Sequence, residues 1–484
     1  MALSEVVIDT RPIRRILLER AGRPALLVAS ALLYWFIVSR EPPEGLSHEG
    51  LAAIGVFAVC LVLWVTTALP LMITSLLVLV LLPITGVLPA GKTYALFGNE
   101  AVFFILGVFI LAACLMKSRL STRIALVIFH RFGHTPRRLL LSIFLLNAVM
   151  AFFMSEHAVA AINFPIIMEI VRVLRLPRHR STYAKALFLA MAWGSSIGGV
   201  ATLLGGARAP LALSMAREVS GRTFTFALWA VANLPIVAVL LVVGWAVILA
   251  FFPIDVKSIR EADELIAEKR LALGRMSSQE KIIAAVMLFT LACWIVGGEQ
   301  FGLATVALAG VVLLFILDVV KWSDVEEYVN WGILLMYGGA IVLGAAVNQS
   351  GAATWMSAKT IGHWAGNAVT ATLIISALGI LLTELMSHSA VVALLMPVAL
   401  GLCPVYHIDP PVMALIVAVP AGLAFTLPVG TPANAIAYSS GYFTIRDMLI
   451  PGSILVVVAW VTFNLVANYV WPFLGITLQM PATP

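Results

Sequence analysis

Apolar stretches dominate the chain, at 24–38, 51–69, 71–88, 228–252, 282–296, 303–320 and 454–471. Each approaches the ~20 residues that a helix needs to cross the hydrocarbon of a bilayer. They predict a polytopic, all-α membrane protein. Inside this pattern two segments break the rule. "FFMSEHAVAAINFP" sets Glu156 beside His157, and "TELMSHSAVVALLMP" sets Ser387, His388 and Ser389 in the same apolar setting. Ionisable groups at such depth are costly, normally paired and functional by default.

The interruptions recur. "FILGVFILAACLMKSRLSTRIA" matches "LLMYGGAIVLGAAVNQSGAATWM", "MSEHAVAAINFPI" matches "MSHSAVVALLMPV", and "TLLGGARA" matches "LPVGTPAN", in one order and 225–232 residues apart. The chain therefore reads as two copies, 50–253 and 282–475, behind a basic N-terminus (1–23) and a first transmembrane helix (24–49). A charged segment, 254–281, predicts an amphipathic linker helix on the membrane surface, and 476–484 form a tail. Residues 117–138 carry six Lys or Arg side chains, whereas 349–369 carry only Lys359 and His363. Because basic loops stay in the cytoplasm, this asymmetry predicts that the copies are inverted. The five basic groups at 172–185 run against that placement.

Composition sharpens the class. The chain is 62% hydrophobic and 11% charged, with a mean hydropathy of +1.04. Five arginines precede the first span and predict a cytoplasmic N-terminus; the expected location is the cell membrane. The net charge of +6 is then a matter of topology, and no nucleic-acid partner is expected. Cys60, Cys114, Cys293 and Cys403 lie in apolar surroundings without CxxC spacing and read as packing residues. No HExxH or GxSxG signature supports an intramembrane enzyme, and polar groups gathered at two breaks do not make a continuous pore.

In hydrocarbon, unwound backbone survives only where protein or a watery cavity satisfies it. Paired discontinuous helices mark secondary transporters, whose helix N-termini face an anion while freed carbonyls hold coupling ions. Ser155, Ser387, Ser389, Thr431 and Asn434 offer neutral donors for a small anion, and Gly205, Gly206 and Gly430 permit close backbone approach.

These segments, with "WVTTALPLMITSLLVLVLLPITGVL", "WGSSIGGVATLLG" and "FTLPVGTPANAIAYSSGYFTIRDML", resemble the divalent anion/sodium symporter family, which carries di- and tricarboxylates and sulfate. The resemblance covers roughly 50–470. It implies an inverted-repeat, elevator-type transporter and a homodimer, with about eleven spans and two re-entrant hairpins. The hairpins are expected near 100–125 and 330–356, and broken helices near 140–170 and 372–400. In the family each broken helix carries Ser-Asn-Thr, which binds substrate and sodium. Here Ser155 keeps the serine while Glu156 and His157 replace Asn and Thr; Ser387 is kept, and His388 and Ser389 follow. Thr383, Gly205 and Gly430 match positions that face the cations. Thr431, Pro432 and Asn434 keep Thr-Pro-x-Asn, but the first copy carries Arg208 in place of that signature.

The substrate-binding set expected is therefore Ser155, Glu156, His157, Arg208, Ser387, His388, Ser389, Thr431, Pro432 and Asn434. With both family asparagines replaced by titratable groups, the expectation is proton coupling or exchange through Glu156, His157 and His388, with Gly205, Thr383 and Gly430 beside them. The alternative is sodium, at Ser155, Gly205, Thr383 and Gly430. No organic cofactor is expected.

Overall fold

The computed structural model describes residues 13–479, with side chains described outside 13–21, 298, 299 and 328. Most of the basic segment 1–23 and the last residues of the tail, 480–484, lie outside the described residues. The described chain is all helical, apart from an isolated bridge between Ile408 and Gln479.

A lead helix, α1 (Ile13–Val38), precedes two matching successions of ten helices. The first opens with α2 (His48–Thr66), α3 (Leu71–Ile84), α4 (Ala90–Phe97), α5 (Glu100–Lys117) and α6 (Leu120–Phe132). It continues with α7 (Pro136–Met150), α8 (Glu156–Val173), α9 (Thr182–Gly199), α10 (Arg208–Ser220) and α11 (Phe226–Phe251). The linker forms α12 (Arg260–Ala272). The second succession opens with α13 (Ser278–Phe301), α14 (Leu303–Ile316), α15 (Trp322–Tyr328), α16 (Trp331–Gln349) and α17 (Ala352–Lys359). It closes with α18 (Ala368–Leu382), α19 (His388–Tyr406), α20 (Pro410–Ala418), α21 (Pro432–Ser439) and α22 (Ile445–Leu465).

The two successions interlock reciprocally. α16 packs on α3 as α5 packs on α14; α21 packs on α8 and α9 as α10 packs on α19 and α20. Seven helices among the described residues are long and apolar enough to cross a membrane, and five shorter apolar helices accompany them.

The segments expected as re-entrant hairpins, 100–125 and 330–356, contain α5 and α16, and both belong to segments long enough to span. Their small residues serve packing, not unwinding. A Cβ on Gly107 would lie 2.6 Å from that of Ala307, and one on Gly339 would lie 2.5 Å from that of Ser75, so these glycines let the helices approach closely. By contrast α7 and α18, which run up to the expected breaks, have 15 residues each. That is about 22 Å, short of a ~30 Å hydrocarbon core.

Polar anchors tie the linker segment and the start of α13 to α6 and α8. Arg123 on α6 pairs with Glu280 through Nε at 2.9 Å and Nη2 at 3.1 Å, and it also donates to the carbonyls of Leu273 and Gly274. Lys269 of α12 reaches Glu169 of α8 at 2.6 Å. The linker thus lies across α6 and α8 with its apolar Ala262 and Ile266 buried beneath it.

Candidate functional site

Four helices of the interlocked halves begin at a break. α8 starts at Ser155, whose hydroxyl accepts from the Ala158 amide at 3.3 Å, and α19 starts at Ser387, which accepts from Ala390 at 3.4 Å. α21 starts at Thr431, which accepts from Asn434 at 3.1 Å, with Pro432 setting the first turn. α10 starts at Arg208 with no side-chain cap. The serines and threonine of the two motifs are thus N-caps first. Their signature, a hydroxyl residue just before an apolar helical run, is readable in the sequence. A capping hydroxyl still has its own proton to donate.

Three of the first helical residues meet across the two halves. His388 Nδ1 lies 3.0 Å from Glu156 Oε1 and 3.2 Å from Arg208 Nη1, and Arg208 Nη1 lies 3.7 Å from Glu156 Oε1. All three side chains are buried, at 3–7% exposure. Glu156 sits well at the positive end of α8, but Arg208 sits at the positive end of α10 and needs its partners there. The guanidinium also has space made for it. A Cβ on Gly206 or on Gly422 would collide with it, so two bare stretches of backbone, one from each half, form its walls. The Glu156 amide donates to the Gly205 carbonyl at 3.1 Å, tying the start of α8 to the loop before α10.

The cluster is not saturated. Glu156 Oε2, Arg208 Nη2 and His388 Nε2 are buried without a hydrogen-bond partner. Because arginine can only donate, His388 Nδ1 either accepts from Arg208 or donates to Glu156, never both at once. With Nδ1 accepting, the imidazole proton sits on Nε2. The site then presents two unpaired N–H donors, which is what an incoming carboxylate or oxyanion accepts from.

The second-copy side is built differently. Glu384 accepts from three successive amides, Phe425 at 2.8 Å, Thr426 at 3.0 Å and Leu427 at 3.2 Å, and so brackets the loop before α21. Thr383 donates to the Ala421 carbonyl at 2.7 Å, and Gly430 lies against the Thr383 carbonyl. Asn434 donates to the carbonyls of Ala424 and Leu427, both at 3.2 Å. Those bonds fix its amide and leave Oδ1 buried without a donor. An oxygen so placed suits a cation.

His157 does not join the buried cluster. It is exposed and takes no part in these bonds, since consecutive helical residues point ~100° apart and Glu156 already faces inward. Ser389 is half-buried and hydrogen-bonded at 2.5 Å to the hydroxyl of Tyr337, a residue the sequence reading did not single out. Gly422 was likewise missed, since nothing local marks it as the wall of a pocket formed by the other half. Two cavities are lined by residues other than Glu156, Arg208 and His388. One, of about 300 Å³, reaches from Asn99 and Arg217 to Leu203 and Pro210.

The comparisons agree with this architecture. The family model "Sodium:sulfate symporter transmembrane region" matches residues 23–477. The chain is 29% identical to the sodium-dependent dicarboxylate transporter SdcS of Staphylococcus saprophyticus, over 95% of this chain and 94% of that one. It is 28% identical to SdcS of Staphylococcus aureus over the same shares. The solved structure of MtrF from Neisseria gonorrhoeae shares the fold, with a TM-score of 0.52 at 14% identity, covering 91% of this chain and 97% of that one. The expectation of proton coupling finds no support here, since the relatives are sodium-dependent by name and the sodium alternative fits them better. The chain is a multi-pass membrane transporter, not an enzyme, and belongs to the sodium:sulfate symporter family.

Proposed function

We propose that this protein is a sodium-coupled carrier of small divalent anions, dicarboxylates foremost, which bind where α8, α10 and α19 begin. The observation that carries this reading is the pair of buried, unpartnered donors Arg208 Nη2 and His388 Nε2. Ser155 and Ser387 flank them, with hydroxyl protons free of the caps.

Charge balance supports sodium. Glu156 and Arg208 cancel each other within the protein, so a dianion meets no spare protein charge while His388 is neutral. Cations must then enter with it, because an uncompensated charge at membrane depth is expensive. Arg208 fills the space beside Gly206 in the first half. The second-half oxygens, those of Thr383, Gly430 and Asn434, are left as the sodium site. Proton coupling through Glu156 is disfavoured because its carboxylate is already paired with Arg208.

The same reading makes the pairs α7–α8 and α18–α19 the re-entrant hairpins and sets the two halves in inverted orientation. An elevator movement, a homodimer, a cell-membrane location and a cytoplasmic N-terminus go with it.

The test is uptake of labelled succinate into proteoliposomes, with sodium and pH gradients imposed separately. Uptake should follow the sodium gradient, and Asn434→Ala should raise the half-saturating sodium concentration about tenfold, as stranding one buried polar contact does. Equal uptake in potassium or choline would overturn sodium coupling.

A further inference from the structure

A second cavity lies apart from the transport site, between α6 and α7. It has a volume of about 480 Å³, within the range of ligand pockets (about 300–1,000 Å³). Ile128, Leu141, Leu145 and Val149 line its apolar part, and Arg131 and Arg138 line it too. Its polarity is graded along its length. Arg131 stands in the last turn of α6 and Arg138 in the first turn of α7, on either side of the short 133–135 connection. Val149 lies eleven residues further along α7 than Arg138, a rise of about 16 Å. One end therefore carries two guanidinium groups and the other is apolar.

Neither arginine is neutralised by its neighbours. Of the acids that reach α6, Glu280 pairs with Arg123, and Asp263 faces His130 at 3.8 Å and His134 at 3.5 Å. Among the described residues, Arg131 and Arg138 have no ion-pair partner. Both are exposed, as are Leu145 (40%) and Val149 (48%). A charged end joined to an apolar trough, in a membrane protein, is complementary to an amphiphile with an anionic head. Basic pockets of this kind between membrane helices take phosphate headgroups.

We infer that this cleft binds an anionic phospholipid. Its phosphate sits between Arg131 and Arg138, where guanidinium groups offer paired donors, and an acyl chain lies along Leu141, Leu145 and Val149. The placement has a consequence. The wall formed by α6 is pinned to the linker by Arg123, whereas α7 leads directly into 151–155 and the start of α8. The lipid would brace the helix that carries the substrate-site turn against one held in place. This inference does not depend on which cation couples transport.

The full chain is purified into nanodiscs containing phosphatidylglycerol, phosphatidylcholine or both, and retained lipid is counted by native mass spectrometry. Phosphatidylglycerol should be retained in preference, and the Arg131→Gln/Arg138→Gln double variant should bind it about 30-fold more weakly, from two arginines near an anionic headgroup. Val149→Trp, which fills the trough and keeps both charges, should also lose the lipid. Monodisperse elution and an unchanged melting temperature in detergent establish that the variants fold; Leu145→Trp replaces Val149→Trp if the latter does not. Equal retention of the two lipids, or unaltered retention by the double variant, overturns the inference. So does retention by the folded tryptophan variant, which would reduce the effect to diffuse surface charge. Inorganic phosphate alone should not raise the melting temperature; a rise abolished by the double variant would make the cleft a small-anion site and overturn the lipid assignment.

Discussion

Arg208, Glu156 and His388 stabilise one another in a place where none of them would be tolerated alone. Their distances of 3.0–3.7 Å, together with burial, make the removal of one a loss for the others. Arg208→Ala leaves Glu156 with no full countercharge and should cost about 3–5 kcal/mol. Adding Glu156→Gln should restore part of that, because the amide keeps the shape and drops the stranded charge. The check is thermal unfolding in detergent for both single variants and the double. Additive losses would mean that the two residues act independently, and the cluster as described would be wrong. Arg208→Lys is not a conservative change here, since an ammonium cannot reproduce the planar donor set held between Gly206 and Gly422.

At the scale of elements, the loops between broken helices are as well built as the helices. Glu384 holds Phe425, Thr426 and Leu427 by three amide bonds, and the loop then delivers Gly430, Thr431 and Asn434 to the site. Hydrogen bonds to a charged acceptor contribute about 1.5–3 kcal/mol each. Glu384→Gln loses the charge and turns an amide NH₂ towards donors that need an acceptor. The expected result is a folded protein with faster hydrogen exchange at 425–427 and at least a tenfold loss of sodium affinity, about 1.4 kcal/mol. Unchanged exchange at these amides would show that the loop holds its shape without the bracket. The short helices α7 and α18 complete this picture. Each leads into a turn, at 151–155 or 383–387, from which α8 or α19 starts.

For the whole molecule, the two successions of ten helices pack on each other reciprocally, and every contact of the cluster other than that between Glu156 and Arg208 crosses between them. If the halves are inverted, the basic connection after α6 and the poorly charged one after α17 face opposite sides. A single cysteine near Arg137 should react with an impermeant maleimide only from the cytoplasm, and one near Lys359 only from outside. The background is clean to make, since Cys60, Cys114 and Cys403 are buried and Cys293 is half-buried. Reaction of both from one face would refute inversion. The same experiment locates the five basic groups of 172–185, where Lys185 is already tied to Asp447 at 2.7 Å.

Membrane class and the capping serines of α8 and α19 were legible in the sequence because each rests on near neighbours along the chain. Hydrophobic length and a serine before a helical run are local quantities. The role of the small residues of α5 and α16 was not legible, since they read alike whether they unwind a helix or let two helices touch. Only the packing of Gly107 on Ala307 and of Gly339 on Ser75 distinguishes them. Partnership was decided by the tertiary structure as well. Glu156 and Arg208 could be suspected of meeting, but that His388, 180 positions beyond Arg208, bridges them while His157, next to Glu156, turns away depends on how two halves dock. The same holds for Asn434, whose spare oxygen is fixed by the two carbonyls that hold its amide nitrogen. A side chain's type sets which bonds it can make, and the fold alone sets which it still has to offer.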